Sequence, residues 1–147
     1  MKVAAQQLGF SMIGPALGPS ADENEYRRVL DAMVKGRADA LIVSDYALNT
    51  THRRLIVEFA ATAKLPAIYP FREYFEVGGL MAYGSSVAAL YTRIAGYVDK
   101  LLQGTRAAEM PIYQEAKFDL SINLKVAGAL GLTMPTSLLV RADEVIE

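Results

Sequence analysis

The sequence predicts an α/β fold, a three-layer α/β/α sandwich with a mainly parallel sheet. Three observations support this class. Short apolar runs alternate with amphipathic helical segments along most of the chain, as βαβ crossovers require. The run DALIVS at 39–44 is typical of a parallel strand that is covered on both faces. The 147 residues are 52% hydrophobic, which suffices for one domain with a substantial core.

The N-terminal part predicts a helix end, a strand and a complete helix. The segment VAAQQL at 3–8 precedes a glycine, as the last turns of a helix do. FSMIGPAL at 10–17 predicts a strand, which its internal Gly-Pro pair restricts to an edge or a bulge. Ser20 and Glu23 form an S-x-x-E capping box, and the apolar spacing behind it predicts a helix that ends at Gly36.

The central part continues the alternation. Its predicted elements are a strand at 39–44, a helix at about 51–64, strands at 66–70 and 79–84, and a helix from Ser85 or Ser86 to about Gln103. After a polar connector, the elements predicted for the last third are a half-buried strand at 117–123, a short helix at 124–131 and a second helix at 137–146. Residues 1–106 and 107–147 thus differ in character.

Composition excludes several classes of function. The formal net charge is -1 and no cluster of lysine and arginine could follow a phosphate backbone, so we expect no nucleic-acid partner. No apolar span is long enough for membrane insertion. The absence of cysteine excludes disulfides and thiolate metal sites. The N-terminus lacks the pattern of a secretory signal, which predicts a cytoplasmic location if Met1 is the true start.

Candidate binding residues follow the apolar runs, because ligands of open α/β sheets bind beyond the carboxyl ends of the strands. They are Ser44, Asp45, Tyr46 and Asn49 after one run, Tyr69, Phe71 and Arg72 after the next, and Tyr83, Gly84 and Ser85 after the third. The aromatic side chains could form a pocket wall or simply core packing. Arg72 could bind a carboxylate, or it could pair on the surface with Glu73 or Glu76.

Catalytic signatures are absent from the sequence. It contains no G-x-S-x-G, phosphate-binding loop, dinucleotide-binding glycine motif or H-E-x-x-H. His52 is the only histidine, so no histidine pair can hold a metal. Asp45 resembles a receiver-type phosphoacceptor by position, but the acidic pair and lysine that such a site needs are missing. We therefore expect neither an enzyme nor a bound cofactor.

Three segments carry a resemblance to a known family. They are PAIYPFRE, GYVDKLLQG and the tail FDLSINLKVAGALGL with RADEVI. Together they resemble the C-terminal half of the ABC-transporter substrate-binding proteins of the type I periplasmic class. The resemblance implies two Rossmann-like lobes that close on a small-molecule ligand, an ABC permease as partner, and a periplasmic location. It assigns 1–106 to the second lobe and 107–147 to a crossover tail that packs on the first.

The resemblance also bears on ligand and assembly. Relatives often read G-F-D where this chain reads G-S-S after Tyr83, which removes an acid that could hold a ligand amine; an amino acid or a small carboxylate is the expected ligand class. The alternative is a free-standing α/β regulatory or vestigial module. Nine apolar residues are expected to face the other lobe and to favour a homodimer through the tail: Phe118, Leu120, Ile122, Leu124, Leu130, Leu138, Leu139, Val145 and Ile146.

Overall fold

A mainly parallel five-stranded sheet organises the described part of the chain, which is residues 2–114 and 117–147 of a computed structural model. Its strands lie in sequence order and are β1 (Leu41–Ile42), β2 (Ala67–Tyr69), β3 (Met81–Gly84), β4 (Asp119–Asn123) and β5 (Glu144–Ile146). Every neighbouring pair is parallel except β3 with β4. The predicted α/β class and mainly parallel sheet are confirmed.

Helices connect these strands. They are α1 (Lys2–Gln7), α2 (Glu23–Lys35), α3 (Ala47–Thr51), α4 (Arg53–Thr62), α5 (Arg72–Phe75), α6 (Val87–Leu102), α7 (Leu124–Ala129) and α8 (Thr136–Leu139), with a short 3-10 turn at Ala107–Glu109. The helix predicted at about 51–64 is α4, and the short helix α3 precedes it, which the sequence did not predict. In the described residues, no helix is long and apolar enough to cross a membrane.

Helix α2 begins two residues later than the sequence predicts. Its cap is Asp22 and not Ser20, since an Asp22 carboxylate oxygen accepts the backbone N–H of Glu25 at 2.9 Å. The Glu25 side chain in turn accepts the N–H of Gly18 at 2.9 Å, which fixes the loop before the helix. The predicted end at Gly36 is confirmed. The Asp22 side chain thus satisfies one backbone donor that the helix start leaves unpaired, and the Glu25 side chain satisfies a donor of the preceding loop.

The buried cluster around β1 and β2 lies on one face of the sheet. Inward side chains of β1 and β2 form a single buried cluster with α2 and α4. Because successive strand residues point to opposite faces, the neighbour of a core residue faces away. Leu41 and Val43 are accordingly buried, whereas Ile42 between them is 66% exposed. The face opposite the core is therefore much less covered at β1.

The segment predicted as a strand at 10–17 is not one. It forms no regular element, and Gly14 has φ +124°, a left-handed conformation that strands do not use. This φ favours glycine, and a Cβ at Gly14 would in addition require the flexible end of the Met33 side chain, 2.7 Å away, to move. The following proline also lacks the N–H that a ladder needs. The Gly-Pro pair thus prevents the strand entirely and does not merely bend it.

The helix predicted at 137–146 ends after Leu139, and the chain then forms β5. The cause is a long-range contact. Asp143 donates its backbone N–H to the Leu120 carbonyl, and its carboxylate accepts the Leu120 N–H, both at 2.8 Å. These bonds place Val145 opposite Ile122 in the sheet. A second strand therefore extends the sheet where a helix was expected.

The C-terminal segment belongs to the same sheet as residues 1–106. Ile122 is fully buried within this chain, so the expectation that it faces another lobe is wrong. Phe118, Val145 and Ile146 do remain between 37% and 48% exposed. Whether 107–147 contacts a further lobe in relatives, and whether it forms a homodimer, stay predictions.

Helix α6 departs most from the expected packing. Its apolar face was expected to cover the sheet, yet none of its residues is buried. Leu90, Ile94, Val98 and Leu101 are each between 43% and 48% exposed. The Ser86 hydroxyl caps its start by accepting the Ala89 N–H at 3.2 Å, which confirms one of the two predicted caps.

Candidate functional site

The carboxyl ends of β1, β2 and β3 meet at one edge of the sheet. The parallel register pairs Ile42 with Ile68 and Tyr69 with Ala82, so the loops after these strands leave in the same direction. Asp45 and Tyr46 are exposed in the first loop, and Phe71 is partly exposed in the second. The predicted clustering of strand-end loops is therefore present. We call this region the strand-end edge.

Asn49 is a buried structural residue at this edge. Its side-chain oxygen accepts the Tyr26 hydroxyl at 2.8 Å, and its side-chain nitrogen donates to the Ser44 carbonyl at 3.0 Å and hydroxyl at 3.2 Å. The polar groups of Asn49 are thus engaged within the protein. This network ties α3 to the end of β1 and to α2, and so fixes the loop that presents Asp45.

Ionisation of the Tyr26 hydroxyl should lower the stability of the folded protein at alkaline pH. Burial, and secondarily the nearby Tyr74, raises the pKa of Tyr26 from 10.0 to about 12. The folded protein therefore holds this proton more tightly than the unfolded chain does, so stability present below pH 10 is lost as the pH rises toward about 12. The free energy of unfolding, measured by urea titration on either side of pH 10, should fall across this window.

The variant Tyr26→Phe is the control. It leaves the Asn49 side-chain oxygen without its hydrogen-bond donor, which should lower the free energy of unfolding by about 1 to 3 kcal/mol at neutral pH. It should also flatten the alkaline decline. The decline should not vanish, because burial raises the pKa of Tyr69 in the same direction. Parallel pH profiles for the wild type and the variant would contradict this assignment.

Tyr69 belongs to the core and not to an exposed pocket wall. It is 2% exposed and its ring stacks on that of Tyr74, with centroids 5.0 Å apart. Gly79 packs so tightly on the Tyr69 ring that a Cβ would lie 2.8 Å from it. The crowding of aromatics and glycines in this stretch is thus explained mainly by packing.

Arg72 is held by two carboxylates. Its guanidinium donates from two nitrogens to Glu144 at 2.9 and 2.8 Å, and from the third to Glu76 at 2.6 Å. The hydrogen bond from Arg72 lowers the pKa of the Glu144 carboxyl, and the same bond raises the pKa of Arg72. The surface ion pair between Arg72 and Glu76, which was one of the alternatives considered from the sequence, is present. The partner that sequence reasoning missed is Glu144, 72 residues away, which joins α5 to β5.

The candidate residues at the end of β3 lie on different faces of the sheet. Gly84 and Ser85 line a depression of about 210 Å³. Its other lining residues are Arg72, Glu73, Glu76, Ala82, Ser86, Val87, Ala88, Asp119 and Ser121. Tyr83 points to the opposite face, where its ring stacks on Phe118 with centroids 5.6 Å apart. Tyr83 therefore does not join the other candidates around the depression.

The described residues contain no cluster of acidic, histidine or cysteine side chains that could hold a metal ion. The single histidine, His52, packs against the Tyr26 ring with centroids 4.5 Å apart. The exposed groups at the strand-end edge are a carboxylate, a phenol, hydroxyls and aromatic carbon. Such groups suit reversible contacts with a small polar or aromatic molecule.

Comparisons with known proteins agree on the fold. Residues 2–146 match the family described as ABC transporter substrate binding protein. A conserved domain protein from Vibrio cholerae O1 biovar El Tor superposes with a TM-score of 0.86 at 21% identity, over 98% of this chain and 47% of its own. No curated protein matches the sequence significantly.

Two further solved structures are similar. An ABC domain from Streptococcus pneumoniae in complex with L-Trp gives a TM-score of 0.85 at 25% identity, over 99% of this chain and 49% of its own. The ligand-free, open structure of a Clostridium difficile substrate-binding protein with adhesive properties gives 0.66 at 23% identity, over 99% and 47%. The chain thus spans about half the length of the solved proteins that it matches.

Proposed function

Because this chain belongs to the ABC transporter substrate-binding protein family, we propose that it forms one lobe of the solute-binding component of an importer. Its coverage of about half of each similar solved chain fits a single lobe. The ligand is a small molecule that binds at the strand-end edge, and the transport partner is an ABC permease. The role is one of binding without catalysis, in the periplasm.

The observation that carries this proposal is the grouping of three loops at one edge of a parallel sheet. In open α/β sheets, this is the edge where ligands bind. Asp45 and Tyr46 are exposed there, and the Asn49 network holds their loop in place. Binding groups that stand on a fixed loop lose less conformational freedom when a ligand arrives.

The proposed ligand class is an amino acid or a small carboxylate. The complex of the similar Streptococcus pneumoniae domain with L-Trp supports this class. On this chain, Asp45 would contact a ligand amine, while Tyr46 and Phe71 would contact an apolar or aromatic side chain. Arg72 is a weaker candidate for a carboxylate, because Glu144 and Glu76 already engage its guanidinium.

A thermal-shift screen tests the proposal. A ligand of this class at about 100 times its Kd should stabilise the chain by about 2.7 kcal/mol, which corresponds to a rise of roughly 5 to 10 °C in Tm. Tyr46→Ala should abolish the rise. The matched control is Tyr91→Ala, which removes a more exposed tyrosine from α6, away from the strand-end edge. The proposed site would be contradicted if no amino acid or small carboxylate raised the Tm, or if both variants changed the rise in Tm equally.

The alternative is a free-standing α/β module without a transport role. The two possibilities differ in genomic context. A neighbouring permease gene supports the importer. The absence of such a gene, together with no rise in Tm for any ligand in the screen, supports the alternative.

A further inference from the structure

Glu144 occupies the edge of the Arg72 guanidinium that is best suited to a ligand carboxylate. Its two carboxylate oxygens accept hydrogen bonds from Nε and Nη2 of Arg72 at 2.9 and 2.8 Å. Two parallel bonds of this kind are the arrangement with which arginine recognises a carboxylate. The third nitrogen, Nη1, donates to Glu76 at 2.6 Å. Every nitrogen of the guanidinium therefore has a carboxylate partner within the chain.

Strand pairing places Glu144 beside the depression of about 210 Å³. In the sheet, Glu144 pairs with Ser121, and Ser121 pairs with Ala82. Paired residues of neighbouring strands point to the same face, so Glu144 shares a face with two residues that line the depression. Arg72 and Gly84 also line it, and Gly84 ends β3 at the strand-end edge. The depression is thus continuous with the proposed binding site.

A dissolved ligand can reach this contact. The Arg72 side chain is 58% exposed and that of Glu144 is 35% exposed. The hydrogen bond from Arg72 also lowers the pKa of the Glu144 carboxyl, so Glu144 is ionised at neutral pH. A ligand carboxylate that approached Arg72 would therefore meet a carboxylate of the same charge that already holds both nitrogens.

The other charges around the depression do not favour an anion. Three of its lining residues carry carboxylates and, among the described lining residues, one carries a cation: Glu73, Glu76, Asp119 and Arg72. Lys117 lies 2.9 Å from the Asp119 carboxylate and offsets part of this charge. With Arg72 held by Glu144, the balance of charge facing a ligand is negative, which disfavours a second anion.

We propose that Glu144 is a specificity-determining residue of the binding site. Its carboxylate takes the place on Arg72 that a ligand carboxylate would otherwise take, and so excludes ligands whose only charged group is a carboxylate. Of the two proposed ligand classes, this selects amino acids, whose ammonium group can approach Asp45, over simple carboxylates. The inference rests on the proposed function for the location of the ligand, whereas the contact between Glu144 and Arg72 does not depend on it.

Three probes that share a phenyl ring on a short carbon chain test this selection. Phenethylamine carries only an ammonium group, 3-phenylpropionate carries only a carboxylate, and phenylalanine carries both. In the wild type, phenylalanine and phenethylamine should raise the Tm, whereas 3-phenylpropionate at the same concentration should not. A rise from 3-phenylpropionate as large as that from phenethylamine would overturn the inference. This comparison uses the wild-type chain, so it does not require any variant to fold.

Glu144→Gln removes the negative charge and keeps the size of the side chain, and Glu58→Gln makes the same change at an exposed residue of α4 as the matched control. By isothermal titration calorimetry, Glu144→Gln should bind 3-phenylpropionate about tenfold more tightly than the wild type, because a charge-assisted contact with Arg72 becomes available. It should not bind phenethylamine more tightly. Adding Arg72→Gln should cancel the gain. No gain in Glu144→Gln, or a gain that persists without Arg72, would overturn the inference.

Arginine modification separates this inference from the proposed function. Phenylglyoxal, read out by peptide mass spectrometry, should modify Arg72 several-fold faster in Glu144→Gln than in the wild type, whereas exposed Arg54 should react equally in both. If the probes bind but Arg72 reacts at the same rate in both proteins, the inference fails and the proposed function stands. If Arg72 reacts faster but none of the three probes binds, the hold of Glu144 on Arg72 is supported and the proposed function is contradicted.

Discussion

Gly84→Ala should destabilise this protein more than any other single methyl addition that the fold suggests. A Cβ at Gly84 would lie 1.7 Å from the Pro70 carbonyl oxygen and 2.8 Å from its carbon. Both are backbone atoms at the end of β2, so relief requires the two strands to separate. Overpacking usually costs about 1 to 3 kcal/mol, and we expect at least the upper value here. For a chain of this length, Tm should fall by roughly 6 to 12 °C or more.

Gly96→Ala is the matched control for this substitution. Gly96 lies inside α6, where an added Cβ would meet nothing within 4 Å. Alanine is the better helix former by about 1 kcal/mol, so this variant should be neutral or slightly stabilised. Circular dichroism melts of both variants provide the comparison. Equal Tm values for Gly84→Ala and the wild type would contradict the close approach of Gly84 to the Pro70 backbone.

Ile122→Ala should have the second largest effect. Ile122 is fully buried in β4, where it lies opposite Met81 of β3 and Val145 of β5. Truncation of a buried isoleucine to alanine costs about 2 to 5 kcal/mol, since it removes transfer energy and leaves a cavity. Urea unfolding should show a lower midpoint with an unchanged slope.

Ile112→Ala makes the same chemical change at a residue that is fully exposed. Its effect should stay within about 0.5 kcal/mol, as is usual for surface substitutions. Comparing the two variants tests whether the C-terminal segment is packed into the core of this chain or lies on its surface. If Ile122→Ala were as mild as Ile112→Ala, β4 would not belong to the core of this chain.

The elements that the sequence predicts well are those with local causes. Helix α2 has a capping residue, a periodic apolar face and a terminal glycine within 15 residues, and it forms as expected apart from its first turn. The strands at 66–70 and 79–84 are likewise found, in shortened form, as β2 and β3. Each is an apolar run bounded by turn residues, which local reading detects.

The errors have long-range causes. The segment EVI forms a strand only because β4 lies beside it, and three residues give no periodic signal of their own. Helix α6 has the apolar periodicity of a buried helix, yet none of its residues is buried in this chain, and periodicity alone cannot foresee this. Both errors concern tertiary packing, which a local pattern does not report.

The site shows the same division. The prediction that residues following the strands lie at one edge of the sheet holds for Asp45, Tyr46 and Phe71, because parallel strands end at the same edge. It could not distinguish these from Tyr69 and Asn49, which the fold buries. Tyr69 is the last residue of β2, and the inward or outward direction of a residue at the end of a short strand depends on register.

Residues 86–113 lie between Gly84 and Asp119, which pair directly in the sheet, and this has a consequence for how length can vary in this region. The entropy of closing a flexible connection grows with the logarithm of its length, so doubling it costs only about 0.6 kcal/mol. Since none of residues 86–113 is buried in this chain, insertions or deletions among them would scarcely strain the pairing of Gly84 with Asp119. This stretch could therefore change size during evolution while the sheet on either side of it stays the same.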